Sequence, residues 1–186
     1  MKKCGFSILE VMIAIAVISS LGLGIYRLQL SQLSATQQAL ARQLAMQSAS
    51  NLANQMYAHL NYSPNSISRT NVNAYMDSSS SVNITLPNGS NNCNTNNCND
   101  STYVAWVLAN WRLNLKNSMN LPSGNVCAQV CTDSTVPTIT NGSCSMGCSG
   151  NSNRTYIKIV WQSHLESAEV TSLGLNNYIV LPVSQR

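Results

Sequence analysis

Between Phe6 and Tyr26 lie 21 residues with a single formal charge, Glu10. As a helix rising about 1.5 Å per residue, this run is roughly 31 Å long, enough to cross the hydrocarbon core of a bilayer. Lys2 and Lys3 precede it, which predicts a cytoplasmic N-terminus with the rest of the chain outside. A charge in a span costs about 2.5–3.5 kcal/mol near the helix centre, so Glu10 is a functional candidate by default. A cleaved secretory signal is the competing reading. Signal peptides carry a shorter apolar region followed by a small-residue cleavage site. This run is longer, no clear A-x-A site follows, and the chain continues as helix.

Ser7-Ile8-Leu9-Glu10 also has the S-x-x-E form of a capping box, which satisfies orphan N–H groups at a helix start. That motif alone is common. A glycine, an aromatic residue, a capping acid and an immediate bilayer-length run together are much rarer. The junction Gly5-Phe6 with Glu10 resembles the leader motif of type IV pilins and pseudopilins. The resemblance implies a leader of residues 1–5, cut by prepilin peptidase between Gly5 and Phe6. Phe6 would then be N-methylated, and Glu10 would help assemble the subunit into a filament. One departure is visible: many major pilins carry a helix-kinking proline near the end of the span, and this chain has none there.

Cleavage would expose a positive α-amino group on Phe6. A neighbour's Glu10 can pair with it in low dielectric, where an unpaired charge is strongly unfavourable and a paired one is tolerated. The pair then works mainly as a registration device between subunits. It can also form within one chain, because positions 6 and 10 are one helical turn apart.

No Gly or Pro interrupts Ile25–Leu60, and the stretch is rich in Ala, Leu, Gln and Met, all good helix formers. One stripe runs through Leu33, Gln37, Leu40, Leu44, Ser48, Leu52, Met56 and Leu60. A neighbouring row carries Ala35, Ala39, Met46, Ala49, Ala53 and Tyr57. This is helical periodicity. A continuous helix over 6–60, spanning the membrane over about 6–26, would be roughly 82 Å long. Its first half lacks a partner within the chain and is expected to pack on sister helices; its second half is expected to pack on its own outer domain. Gly22 and Gly24 each weaken a helix by about 1 kcal/mol, serving either local unwinding during assembly or close packing.

Residues 61–186 are expected to form the exported globular domain. Asn, Ser and Thr dominate 61–101, read as a surface connection with little core of its own and one strand at Val82–Leu86. Tyr103–Met119 reads as an amphipathic helix capped by Ser101, with Val104, Leu108, Trp111, Leu115 and Met119 on one face, ended by the turn Leu121-Pro122-Ser123-Gly124. Strands are expected at 125–131, 155–163 and 177–183. The predicted fold is α+β and pilin-like: a long N-terminal helix, transmembrane in its first half, packed on a small antiparallel sheet with one additional helix. Trp111, Leu121–Gly124 and the strand from Tyr156 to Trp161 are similar to minor pilins of the PilV kind. That resemblance implies a priming complex near a fibre tip, contacts with other minor and major pilins and an inner-membrane assembly platform, and an adhesin-like partner.

Cys4 lies in the leader. Cys93, Cys98, Cys127, Cys131, Cys144 and Cys148 lie on the exported side, and an even number there reads as disulfides. Six cysteines allow fifteen connectivities, so sequence does not settle the pairing. On a strand, Cys127 and Cys131 are roughly 13 Å apart, beyond the roughly 7 Å between Cα atoms that a bond tolerates. The expected order is nested, Cys127–Cys148 and Cys131–Cys144, with Cys93–Cys98 a local ring. Zinc is the rival, disfavoured by C-x4-C and C-x3-C spacing.

No nucleophile elbow, P-loop or H-E-x-x-H motif occurs, and no cofactor or catalytic residue is expected. His59 and His164 read as surface or interface residues, and Glu166 and Glu169 as solvated acids. Residues 61–186 carry six Lys or Arg and five acids, without the basic cluster that specific nucleic-acid binding would need. A minor pseudopilin of a type II secretion system shares the leader and helix and is the alternative function. A secreted enzyme or binding protein with a retained anchor is a third.

Overall fold

The computed structural model describes residues 8–62, 75, 81–82, 86, 91–120, 126–140, 143–148, 154–162 and 177–183. Cys4, Gly5, Phe6, Ser7, the turn Leu121–Gly124, Asn125, Ser163, His164, Glu166, Glu169 and most of the 61–90 connection lie outside the described residues, as does the side chain of Leu60. Contacts divide the chain into two compact units, residues 1–39 and 40–186.

Helix α1 runs over Ile8–Tyr62, 55 residues, as expected of a stretch without proline and without glycine after Gly24. In the first unit α1 is the only described element, and its apolar side chains face outward: Ile13, Val17, Leu21 and Ile25 are each more than half exposed.

In the second unit α1 turns Ala45, Ala49, Leu52, Ala53 and Met56 inward, all buried, a spacing of four and three residues that keeps one face of a helix inward. The stripe read from sequence is correct at Leu52, Met56, Ala49 and Ala53. It fails farther up: Leu40 is 56% exposed and Met46 is 42% exposed, while Ala45 takes the inward place. Periodicity shows that a face exists, but the partner element decides its azimuth.

Helix α2 spans Asp100–Met119. Ser101 is not its cap, as the sequence reading had it. Asn99 holds that position in extended conformation, and its Oδ1 accepts from the Thr102 N–H at 2.9 Å and from the Ser101 hydroxyl at 3.0 Å. Asn and Ser are near-equal caps, so composition alone does not separate neighbours. At the other end Asn120 adopts the left-handed conformation, φ 47°, and its N–H bonds to Lys116 O at 3.1 Å; asparagine is the usual substitute for glycine there.

The main sheet is antiparallel with order β1 (Val126–Cys131), β4 (Thr155–Trp161), β5 (Asn177–Val183). A separate hairpin pairs β2 (Thr138–Thr140) with β3 (Ser143–Ser145), where the sequence predicts a variable loop. Strand alternation places Val126, Ala128, Val130, Ile157, Ile159, Trp161, Ile179 and Val183 in one core with the inward residues of α1 and α2. The expected α2 face, Val104, Leu108, Trp111, Leu115 and Met119, is buried in that core. The indole N–H of Trp111 donates to Ser48 O at 3.1 Å, joining the helices, and Arg112 Nε donates to Ala128 O at 3.1 Å, joining α2 to the sheet. The 61–101 connection contributes more than expected. Tyr75 and Val82 are fully buried, and Ser81 forms a single bridge with Cys127.

Candidate functional site

Glu10 lies in the first described turn of α1. Behind it the helix is long and apolar enough to cross a membrane; its most apolar 18-residue window has a mean hydropathy of 2.3 and no buried residue. The hydroxyls of two serines in this run are satisfied locally: Ser19 Oγ donates to Ile15 O and Ser20 Oγ to Val17 O, both at 2.8 Å. Such back-bonding to the preceding turn lets hydroxyls sit in hydrocarbon without losing a partner. A Cβ added at Gly22 or Gly24 would meet nothing within 4 Å. Neither glycine is required for packing inside the first unit.

All six cysteines after Cys4 are bonded. Cys93–Cys98 closes a local ring, with Cα atoms 5.5 Å apart. The other two bonds correct the nested expectation: Cys127 joins Cys144, and Cys131 joins Cys148. The reason is the unforeseen hairpin. With one chain reversal after β1, residues 144–148 would run antiparallel to β1 and pair in nested order. The β2–β3 hairpin adds a second reversal, so 144–148 runs along β1 in the same direction and each cysteine meets the one seventeen positions on. With these six thiols bonded, none of them is left as a thiolate for the zinc alternative.

The described parts of the stapled segment, 132–140 and 143–148, lie on the face of the sheet opposite the helices, where Cys127, Val160, Ile139 and Met146 form a second small core. At its middle is Lys158, 0% exposed and paired across the sheet with Gln129. Its Nζ donates to Met146 O at 2.8 Å, Thr135 Oγ1 at 3.2 Å and Gly147 O at 3.5 Å. Gln162 Nε2 adds a bond to Ile139 O at 3.2 Å. Gly147 has φ +58°, and a Cβ there would collide with the Thr135 hydroxyl. Gly147→Ala is therefore expected to destabilise the second unit by about 1–3 kcal/mol, read as a lower thermal midpoint.

Residues 1–26 match the family described as the prokaryotic N-terminal methylation motif. The chain carries a type IV pilin or pseudopilin signal. That pilin-type signal implies processing by prepilin peptidase and assembly with other pilins, and with the apolar helix it is consistent with anchoring in the inner membrane before assembly. No curated protein and no solved structure matched the chain.

Outside the pilin-type signal, sequence reasoning passed over two polar groupings, one at the surface over the buried Tyr75 and one buried in the sheet. His59 Nε2 lies 3.4 Å from Asp100 Oδ1, and its ring stands 5.8 Å from that of Tyr75 and 5.1 Å from that of Tyr103. This cluster ties the end of α1 to the start of α2. The other is Lys158, whose place in an alternating strand gave no sign of the segment that covers it.

Both groupings make stability depend on alkaline pH. Burial lowers the Lys158 ammonium below its usual 10.5, opposed by Asp133. Between that lowered value and 10.5 the unfolded chain binds the extra proton, so the contribution of Lys158 to stability rises with pH across that window. Tyr75 acts in the opposite sense. Burial, then Tyr103 and Asp100, raise its phenol well above 10.0. Its contribution is fully present below 10.0 and is lost as pH climbs above it. The denaturation midpoint is expected to rise toward pH 10 and fall beyond. Lys158→Met should flatten the rise and Tyr75→Phe the fall, both readable in chemical denaturation across an alkaline series.

Proposed function

We propose that this chain is a minor pilin of a type IV pilus. In this reading prepilin peptidase cuts after Gly5, Phe6 becomes the methylated N-terminus, and residues 6–60 act as one assembly helix carrying an exported domain of residues 61–186. Glu10 pairs with the freed α-amino group of a neighbour's Phe6 as the apolar helices come together. The observation that carries the reading is the methylation motif standing at the head of a helix whose N-terminal apolar residues, Ile8 to Leu33, stay exposed among the described residues. A surface of that kind needs lipid first and sister helices afterwards.

The triply disulfide-bonded outer unit favours a surface fibre over a minor pseudopilin of type II secretion, because a fibre exposes its subunits to the harsher side of the envelope. A priming role near the tip, of the PilV kind and next to an adhesin-like partner, rests on the resemblance of Trp111, Leu121–Gly124 and Tyr156–Trp161 alone. Twitching motility and cell adhesion would follow from it. Gene deletion tests the proposal: loss of surface fibres and twitching supports it, and loss of exoprotein export with intact fibres assigns the chain to secretion. Mass spectrometry of the mature protein should find methylated Phe6 as the first residue; a chain still bearing Met1–Gly5 where prepilin peptidase is active would point to an anchored enzyme or binding protein.

A further inference from the structure

A cleft of about 250 Å³ opens between α2 and the 44–55 stretch of α1. Its walls are two amide-bearing rows on successive helical turns: Gln47, Asn51 and Gln55 on α1, Asn110, Asn114 and Ser118 on α2. Residues four apart stack along one side of a helix, so each row extends about 12 Å. The floor is Leu44, Leu52 and Trp111. Trp111 is 6% exposed, with its N–H already given to Ser48 O. Asn114 Nδ2 donates across one turn to Asn110 Oδ1 at 3.4 Å. The amides of Gln47, Asn51 and Gln55 are exposed and have no hydrogen-bond partner among the described residues.

We infer that this cleft is a binding site for a neutral saccharide of one or two rings. None of its lining residues is charged, so neither anions nor cations are selected. Each carboxamide offers a donor and an acceptor side by side, matching hydroxyls that also do both. Leu44, half-buried at the edge of the cleft, offers an apolar contact for the C–H face of a sugar ring, while Leu52 and Trp111 lie covered beneath the amides. The volume falls just below the roughly 300 Å³ at which pockets for drug-sized ligands begin, which sets the limit at one or two rings. A protein partner fits less well, because the cleft presents no exposed Trp, Tyr or Arg of the kind that anchors interfaces.

The inference does not depend on which filament the chain joins. Its test uses the processed full-length chain, labelled on side-chain amides and held in lipid nanodiscs, titrated with lactose, maltose and N,N′-diacetylchitobiose. At least one disaccharide is expected to shift the amide signals of Gln47, Asn51, Gln55, Asn110 and Asn114 in a saturable way. Asn51→Leu and, separately, Gln55→Leu should each weaken that binding at least tenfold while leaving the thermal midpoint unchanged. Three results would overturn the site: no saturable shift with any of the sugars, shifts that persist in both variants, or shifts produced only by a capped diglycine probe, which would make the cleft a peptide groove. None of these outcomes touches the pilin-type signal.

Discussion

A Glu10→Gln chain is expected to be cleaved normally and then to remain in the inner membrane, its level in sheared filaments at least tenfold below that of the unaltered chain. The substitution keeps size and helix propensity and removes only the charge. Left without its countercharge, the α-amino group of a neighbouring Phe6 would be buried unpaired. Breaking one side of a buried pair costs about 3–5 kcal/mol, and each 1.4 kcal/mol is about tenfold in an equilibrium. Immunoblots of sheared fibres against membrane fractions read the ratio directly. Equal incorporation of the two chains would eliminate the charge pair as the assembly device and leave apolar packing alone to account for it.

The second large effect lies in the second unit. Trp111→Ala is expected to cost about 3–5 kcal/mol, the range for emptying a buried aromatic site. Three losses coincide there: the indole fills the core between α1 and the sheet, its N–H satisfies Ser48 O, and it floors the cleft. For a unit of this size the thermal midpoint should drop by about 10 °C, with near-ultraviolet dichroism as the readout. Trp111→Phe keeps most of the volume and loses the hydrogen bond, so it should recover more than half of the effect. A drop no larger than that of an exposed control such as Tyr178→Ala would mean that the helix–helix contact matters little.

The two predictions sit on features of unequal legibility. Glu10 was visible at once, because a charge in an apolar run stands out against its immediate neighbours. Trp111 was placed correctly on the inward face of α2 by spacing alone, and its partner on α1 was not foreseeable. Similarly, the strand limits 177–183 were read as observed, since the alternation and the flanking polar residues are local. The cap of α2 was missed by two positions because Asn99 and Ser101 are both good caps and only the Thr102 N–H distinguishes them. The burial of Lys158 was not legible at all: a lysine at an outward position of an alternating strand looks solvated until another segment folds over it.

What the amino-acid order determined by itself is whatever arises within a few turns of chain: the apolar α1 with its acidic start, α2, three strands of the main sheet and the Cys93–Cys98 ring. Tertiary structure alone decided the azimuth of α1, which put Ala45 inside and Met46 outside. It also decided the second chain reversal that pairs Cys127 with Cys144 and Cys131 with Cys148, and the covering of Lys158. Helical and strand periodicities repeat every two to four residues and are written into any short window, whereas a contact across seventeen or more positions depends on how every intervening turn is made.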